Sequence, residues 1–123
     1  MKMIARAYAE LLSLEYFLIR KDFASIHDKV RNIPVCSRRH PSTSIQKVCD
    51  AIDLAAALYF KQALCLQRSA ATASLLKKYG FAAEMVIGVQ QLPFLAHAWV
   101  EVEGLVVNDK PYVPEIYSIL TRC

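Results

Sequence analysis

The stretch CLQRSAATASLLKKYGFAAEMVIGVQQLPFLAHAWVEVEGLVVND, residues 65–109, contains the change of hydrophobic period that decides the fold. A helix is predicted from Cys65 to just before Gly80, because lysines in a last turn followed by glycine commonly end a helix. After Gly80 the apolar residues alternate with a period of two, which is typical of a largely buried strand. We therefore expect a helix followed by an antiparallel sheet.

The predicted sheet has three strands joined by two short turns. On the second strand, Leu95, His97, Trp99 and Glu101 share one face, because successive side chains of a strand point to opposite sides. Gly104 is expected to close the second hairpin. The first strand, its turn, the second strand, the third strand and a short terminal helix are predicted at residues 81–89, 90–93, 95–102, 105–109 and 115–120.

Upstream of residue 65 the apolar residues recur at helical spacing. One amphipathic helix is predicted over roughly the first twenty residues, and a second from Asp22 to Arg31 with Asp22 as its N-cap. After a loop at 32–44, Thr43 and Gln46 have capping-box spacing and predict the start of a third helix. The fold class is therefore α+β in one domain over residues 1–123, helical over about 1–80 and a sheet over about 81–112.

Composition excludes several classes of protein. The net charge is +4 with a sequence pI near 8.9, but the basic residues do not line up along one element, so no nucleic-acid partner is expected. Charges interrupt every long apolar stretch, so neither a membrane span nor a signal peptide is predicted. The cysteines are widely spaced, which favours free thiols and a cytoplasmic, reducing compartment without disulfides or zinc; they lie at 36, 49, 65 and 123. No metal or cofactor is expected.

Cys65 is the candidate nucleophile. It stands where a helix is predicted to begin, and the positive end of the helix dipole favours a thiolate there. Backbone N–H groups of that first turn, including that of Leu66, are free to bind an oxyanion, and Gln62 is a candidate side-chain donor. Arg68, one turn later, is a candidate support residue, although we favour its pairing with a carboxylate elsewhere.

His97 is the candidate general base. A three-residue loop at residues 102–104 would place Asp109 directly opposite His97, where it could accept a hydrogen bond and fix the tautomer of the imidazole. A two-residue loop would shift the register by one and bring Asn108 or Lys110 nearer instead. Asn108 is therefore the reserve orienting residue, and Glu101 a weaker one. Trp99 is a candidate support residue, although we favour core packing for it.

Several segments carry a family resemblance: C-L-Q-R-S at 65–69, K-K-Y-G-F at 77–81, V-I-G-V at 86–89, P-F-L-A-H-A-W-V-E at 93–101 and V-N-D at 107–109. This pattern resembles the transglutaminase-like leader peptidases of lasso-peptide gene clusters over roughly residues 60–112. The resemblance implies a papain- or transglutaminase-like fold with Cys65 as nucleophile, His97 as base and Asp109 as the residue that orients the base.

The resemblance also implies a function. Such proteins cut the leader from a ribosomally made precursor peptide, and a separate ATP-dependent cyclase then closes the macrolactam. A short chain of this kind is expected to be the stand-alone catalytic subunit, with a separate leader-recognition protein as its partner and the cyclase as a further one.

Two other readings stay open. The same three residues would serve an acyltransferase or transglutaminase, in which an amine replaces water as the acceptor. A binding module that kept the fold but lost catalysis is the third reading, and the intact Cys65, His97 and Asp109 argue against it.

Overall fold

The computed structural model describes residues 2–37, 43–91 and 93–123. In chain order, three helices precede the helix that begins at Cys65, and the sheet follows. The helices are α1 (Lys2–Ile19), α2 (Phe23–Asn32), α3 (Ile45–Leu58), α4 (Cys65–Lys78) and a short α5 (Val113–Ile116). The strands are β1 (Ala83–Gln91), β2 (Phe94–Val102), β3 (Leu105–Val106) and β4 (Ser118–Arg122). The mixed helical and antiparallel architecture confirms the predicted α+β class.

The helices form a layer on one face of a four-stranded sheet with strand order β3-β2-β1-β4. Helix α4 lies against β1 and β2, while α1 packs chiefly on α3 and α4 rather than on the sheet. The small side chains at 69–74 are all buried, and they let α4 approach its neighbours closely. The main core lies between these layers, and a smaller cluster around Val86, Trp99 and Val113 covers the opposite face.

Two predicted helix starts have different outcomes. Asp22 is the N-cap of α2, as predicted, and its carboxylate accepts the N–H of Ser25. The predicted cap of α3 was wrong by one position, because Ser44 rather than Thr43 accepts a backbone N–H, that of Lys47. Both residues are hydroxyl-bearing, so the pattern did not distinguish them.

The turn between β2 and β3 is shorter than the expected three-residue loop. Val102 pairs with Leu105, which leaves Glu103 and Gly104 as a two-residue turn with positive φ at both positions. Such type I′ turns match the twist of a hairpin, but they usually carry Asn or Asp before Gly, and Glu rarely adopts positive φ. The unusual glutamate explains why the predicted register was wrong.

The C-terminal segment also differs from the prediction. Residues 115–120 were expected to form a helix, but the helix ends at Ile116 and β4 follows from Ser118. Strand β4 pairs antiparallel with β1, with a shift of register between Ile87 and Gly88. The sheet therefore has a fourth strand, which brings the end of the described chain beside β1.

The first hairpin turn is also tighter than predicted. Gln91 pairs directly with Phe94, so β1 runs into the expected turn at 90–93. Leu92, within the predicted turn, lies outside the described residues. Residues 38–42 of the predicted 32–44 loop lie outside them as well. No helix in the described part of the chain is long and apolar enough to cross a membrane.

Candidate functional site

A cleft of about 200 Å³ lies between the start of α4, helix α3 and the sheet. The structure brings Cys65, His97 and Asp109 together in the lining of this cleft. Asn108 and Ser69 line it as well. The three residues predicted to act together therefore line one cleft, although they come from a helix, a strand and a loop.

Cys65 is the first residue of α4 and is exposed. Leu64 precedes it as the N-cap in an extended conformation and makes no side-chain capping bond. The first intrahelical hydrogen bond runs from the N–H of Arg68 to the carbonyl of Leu64. The N–H groups of Cys65, Leu66 and Gln67 consequently have no acceptor within the helix, and such groups attract negative charge. The helix start thus suits both a thiolate and an oxyanion.

The opposite wall of the cleft carries a histidine–carboxylate pair. His97 Nε2 lies 2.5 Å from Asp109 Oδ2, and both side chains are about a quarter exposed. The other carboxylate oxygen of Asp109 accepts the backbone N–H of Lys110. Because Asp109 engages Nε2, Nδ1 is the ring nitrogen left to exchange a proton with a thiol.

Asp109 reaches His97 from a loop and not across a β-ladder. After Val106 one further backbone bond forms, from Val107 N–H to the carbonyl of Val100, and the chain then leaves β2. With a two-residue turn, Asn108 or Lys110 was expected to lie nearer the histidine. This was wrong, because the pairing of β3 with β2 ends at Val106 and does not extend as far as His97. The loop after β3 turns Asp109 back towards His97 instead.

Asn108, the reserve orienting residue, has other partners. Its Oδ1 accepts the N–H of Val100 at 2.8 Å, and its Nδ2 donates to Ser69 Oγ at 3.2 Å. Ser69 Oγ in turn donates to the carbonyl of Ala98 at 3.0 Å. This chain of bonds, which we call the Ser69–Asn108 bridge, joins the helix of Cys65 to the strand of His97. Sequence reasoning missed it, although a serine in the first segment of the resemblance and an asparagine in the last were visible signals.

Glu101, the weaker orienting candidate, is buried away from this pair. It accepts the indole N–H of Trp99 at 2.9 Å and forms an ion pair with Arg122, Oε1 to Nη1 2.7 Å. Burial raises the pKa of Glu101, but the hydrogen bonds from Arg122 and Trp99 outweigh it and leave the pKa below its ordinary value. Trp99 is fully buried, which confirms the preferred reading that it packs in the core.

The two remaining support candidates, Arg68 and Gln62, line different cavities. Arg68 lines the cleft but pairs with the carboxylate of Asp53, Nη2 to Oδ1 2.5 Å, as the preferred reading expected. Gln62 lines a different cavity, with Leu18 and Phe23, and its role as an oxyanion donor stays a prediction.

The other cysteines differ from Cys65 in exposure. Cys49 is buried, and burial raises the pKa of its thiol to about 11, an effect that Asp53 and Asp50 reinforce. Burial likewise raises the pKa of the Cys123 thiol. None of Cys36, Cys49, Cys65 and Cys123 forms a disulfide bond in this structure. Among the described residues, no group of three or more His, Cys, Asp or Glu side chains is placed to hold a metal ion.

Comparison with known proteins places the chain in a family. The model of the transglutaminase-like superfamily matches residues 9–122, nearly the whole chain. Among curated proteins, the microcin J25-processing protein McjB of Escherichia coli is 40% identical over 58 residues, which is 47% of this chain and 28% of that protein. The match thus covers less than a third of McjB. No solved structure matches the chain significantly. With its family model spanning the helices and the sheet alike, the chain belongs to the transglutaminase-like superfamily.

Proposed function

We propose that the protein is a cysteine peptidase that removes the leader from a ribosomally made lasso-peptide precursor. One observation carries the proposal: a thiol at the start of α4 faces the same cleft as a histidine that is bound to a carboxylate. The transglutaminase-like superfamily generally includes cysteine-based catalysis, and the partial likeness to a microcin-processing protein supports a peptide substrate.

The chemistry follows from the positions of these groups. Cys65 transfers its proton to Nδ1 of His97, and its sulfur attacks the last carbonyl carbon of the leader. The N–H groups at the start of α4 bind the oxyanion that forms. His97 then returns the proton to the departing amine of the core peptide, and Asp109 stabilises the imidazolium through Nε2 in the meantime.

The second half of the reaction regenerates the enzyme. Water loses a proton to His97 and attacks the thioester between Cys65 and the leader. The thioester breaks, the leader leaves with a free carboxyl end, and the thiol recovers its proton. Hydrolysis by this route requires only an open cleft that admits water, and the lining of this cleft is partly exposed.

The proposal includes partners and a compartment. A separate leader-recognition protein would deliver the precursor, and an ATP-dependent cyclase would use the amine that is freed. Both would act in the cytoplasm, a reducing compartment in which the cysteine thiols would not form disulfides.

The test is to mix the protein with its precursor and leader-recognition protein and to measure the masses of the products. Leader and core should appear as separate hydrolysis products. Cys65→Ala should lower the rate by roughly 10³-fold or more while the circular dichroism spectrum is unchanged, because only the nucleophile is lost.

Cys36→Ala is the matched control, since Cys36 lies between α2 and α3 and does not line the cleft. It should cleave at the wild-type rate. Cleavage by Cys65→Ala at that rate would refute the proposal. If an added amine became joined to the leader in preference to water, the acyltransferase reading would replace it.

A further inference from the structure

Three aromatic rings form a cluster around the candidate base. The ring centroid of His97 lies 6.0 Å from that of Trp99 and 5.4 Å from that of Tyr117. Trp99 and Tyr117 are themselves 6.0 Å apart. Tyr117 is the C-cap of α5, so it lies outside the stretch that contains the three candidate catalytic residues. The histidine is therefore surrounded by rings from two separate parts of the chain.

A glycine makes this cluster sterically feasible. Gly88 pairs with His97 across β1 and β2, so both lie on the same face of the sheet. A Cβ atom at position 88 would lie 2.8 Å from Trp99 Cη2 and 2.8 Å from Tyr117 Cβ, which is closer than side chains pack. The register shift beside Gly88 occurs where the segment that follows Tyr117 joins β1. The absence of a side chain at 88 is what admits both rings.

Trp99 is fixed independently of Tyr117. Its indole N–H donates to Glu101, whose carboxylate also pairs with Arg122 on β4. All of Trp99 is buried, so its ring forms a rigid wall beside the histidine. Tyr117 is only partly buried. Asp109 thus contacts the histidine ring at Nε2, and Trp99 and Tyr117 are its aromatic neighbours among the described residues.

We propose that Tyr117 is a positioning residue for His97 and that Gly88 is the gap in the sheet that admits it. The ring of Tyr117 holds the imidazole in the orientation in which Nε2 meets Asp109, which leaves Nδ1 for the proton of Cys65. Turnover depends on that orientation because small displacements of a reacting group lower rates steeply. The turnover readout rests on the proposed peptidase function; a second readout, alkylation of Cys65, does not need a precursor.

The experiment compares Tyr117→Leu, which removes the ring, with Tyr117→Phe, which keeps it. Tyr16→Leu is the matched control, since Tyr16 is an exposed residue of α1. For leader removal, Tyr117→Leu should lower kcat about tenfold with KM within about twofold, and Tyr117→Phe should stay within about twofold of wild type in both. A residue needed only for folding would lower the amount of folded protein without this split.

The precursor-free measurement is the rate of iodoacetamide labelling at pH 6, resolved for each cysteine by peptide mass spectrometry. Wild-type Cys65 should label faster than free cysteine, Tyr117→Leu should be about tenfold slower than wild type, and Tyr117→Phe should match it. Gly88→Ala should slow labelling in the same direction, because the new methyl group displaces both rings. Thermal melts confirm that each variant is folded.

Several results would overturn the proposal. Wild-type labelling and kcat in folded Tyr117→Leu would show that the ring is not needed. An equal loss in Tyr117→Phe would assign the effect to the hydroxyl. Labelling of wild-type Cys65 no faster than free cysteine would remove the basis for any positioned base. If instead the wild type labels fast but cleaves no precursor, the peptidase function fails while the labelling series still decides the role of Tyr117.

Discussion

At the scale of single residues, Asp109 and Asn108 are neighbours with different partners. The carboxylate of Asp109 binds the imidazole of His97, whereas the amide of Asn108 holds Val100 and Ser69. The first contact can affect a proton transfer directly. The second joins two structural elements, so its loss should chiefly lower the free energy of unfolding.

Replacing each of these two residues should therefore give opposite results. Asp109→Asn keeps the shape but removes the charge that stabilises the imidazolium, so kcat should fall by roughly 10²–10⁴ with little change in unfolding. Asn108→Ala removes two hydrogen bonds and should lower the free energy of unfolding by about 1–3 kcal/mol. Urea titration and leader-removal kinetics measure the two effects. A larger kinetic loss in Asn108→Ala than in Asp109→Asn would reverse the assignment.

Glu101 gives a pH dependence of stability. Its pKa in the folded protein is below the ordinary value of 4.5, so its ionised form stabilises the fold above about pH 4.5 and that stabilisation is lost as the pH falls below it. Glu101→Gln should cost about 2–3 kcal/mol at pH 7, because it leaves Arg122 without its charged partner. The difference from wild type should shrink as the pH is lowered through the folded pKa. A difference that is constant from pH 7 to pH 3 would contradict this account.

Sequence reasoning anticipated the contact between His97 and Asp109 but not its route. The residue types and their order predicted the pair, and the distance of 2.5 Å confirms that they meet. Their catalytic roles stay a prediction. Tyr117 had no signal, since its segment was expected to be helical and nothing local places it beside a histidine twenty residues earlier.

At the scale of elements, the start of α3 offers a direct comparison of two adjacent hydroxyls. Ser44 accepts the N–H of Lys47, whereas the capping-box spacing pointed to Thr43. Ser44→Ala should lower the free energy of unfolding by about 1 kcal/mol, and Thr43→Ala should change it by less than about half as much. Chemical denaturation of the two variants measures both values. Equal losses would mean that the caps are interchangeable.

The terminal element shows why some structure could not be predicted. Residues 118–122 lack a clear alternation, and Ile119 and Leu120 are exposed on an edge strand. Their strand conformation comes from pairing with β1, about thirty residues away in the chain. Local patterns predict such long-range pairing poorly. Helices α1 to α4 and the first hairpin depend on neighbouring residues and were predicted, apart from the length of the hairpin turn.

At the scale of the whole molecule, the candidate site lies between two layers. The helical layer supplies Cys65 and the sheet supplies His97, and the Ser69–Asn108 bridge fixes one to the other near the cleft. At the far end of α4, Lys77 performs a similar joining role. Its ammonium donates to the carbonyls of Val30 and Cys123, which ties α4 to α2 and to the segment after β4.

Lys77→Met should therefore destabilise the molecule as a whole. The substitution keeps the apolar stem but leaves two carbonyls without their donor, at a cost of about 1–3 kcal/mol. Lys2→Met is the matched control, since Lys2 is exposed at the start of α1, and it should change stability by less than about 0.5 kcal/mol. Thermal melts compare the two. Identical melting temperatures would refute a joining role for Lys77.

The position of β4 in the chain affects when the site is completed during synthesis. A ribosome that has already translated residues 65, 97 and 109 has not yet translated Tyr117 or Arg122. The chain emerging at that stage contains sulfur, imidazole and carboxylate but lacks the tyrosine beside the histidine and the arginine that pairs with Glu101. The contacts around His97 and Glu101 are therefore completed only after residues 117–122 have been translated.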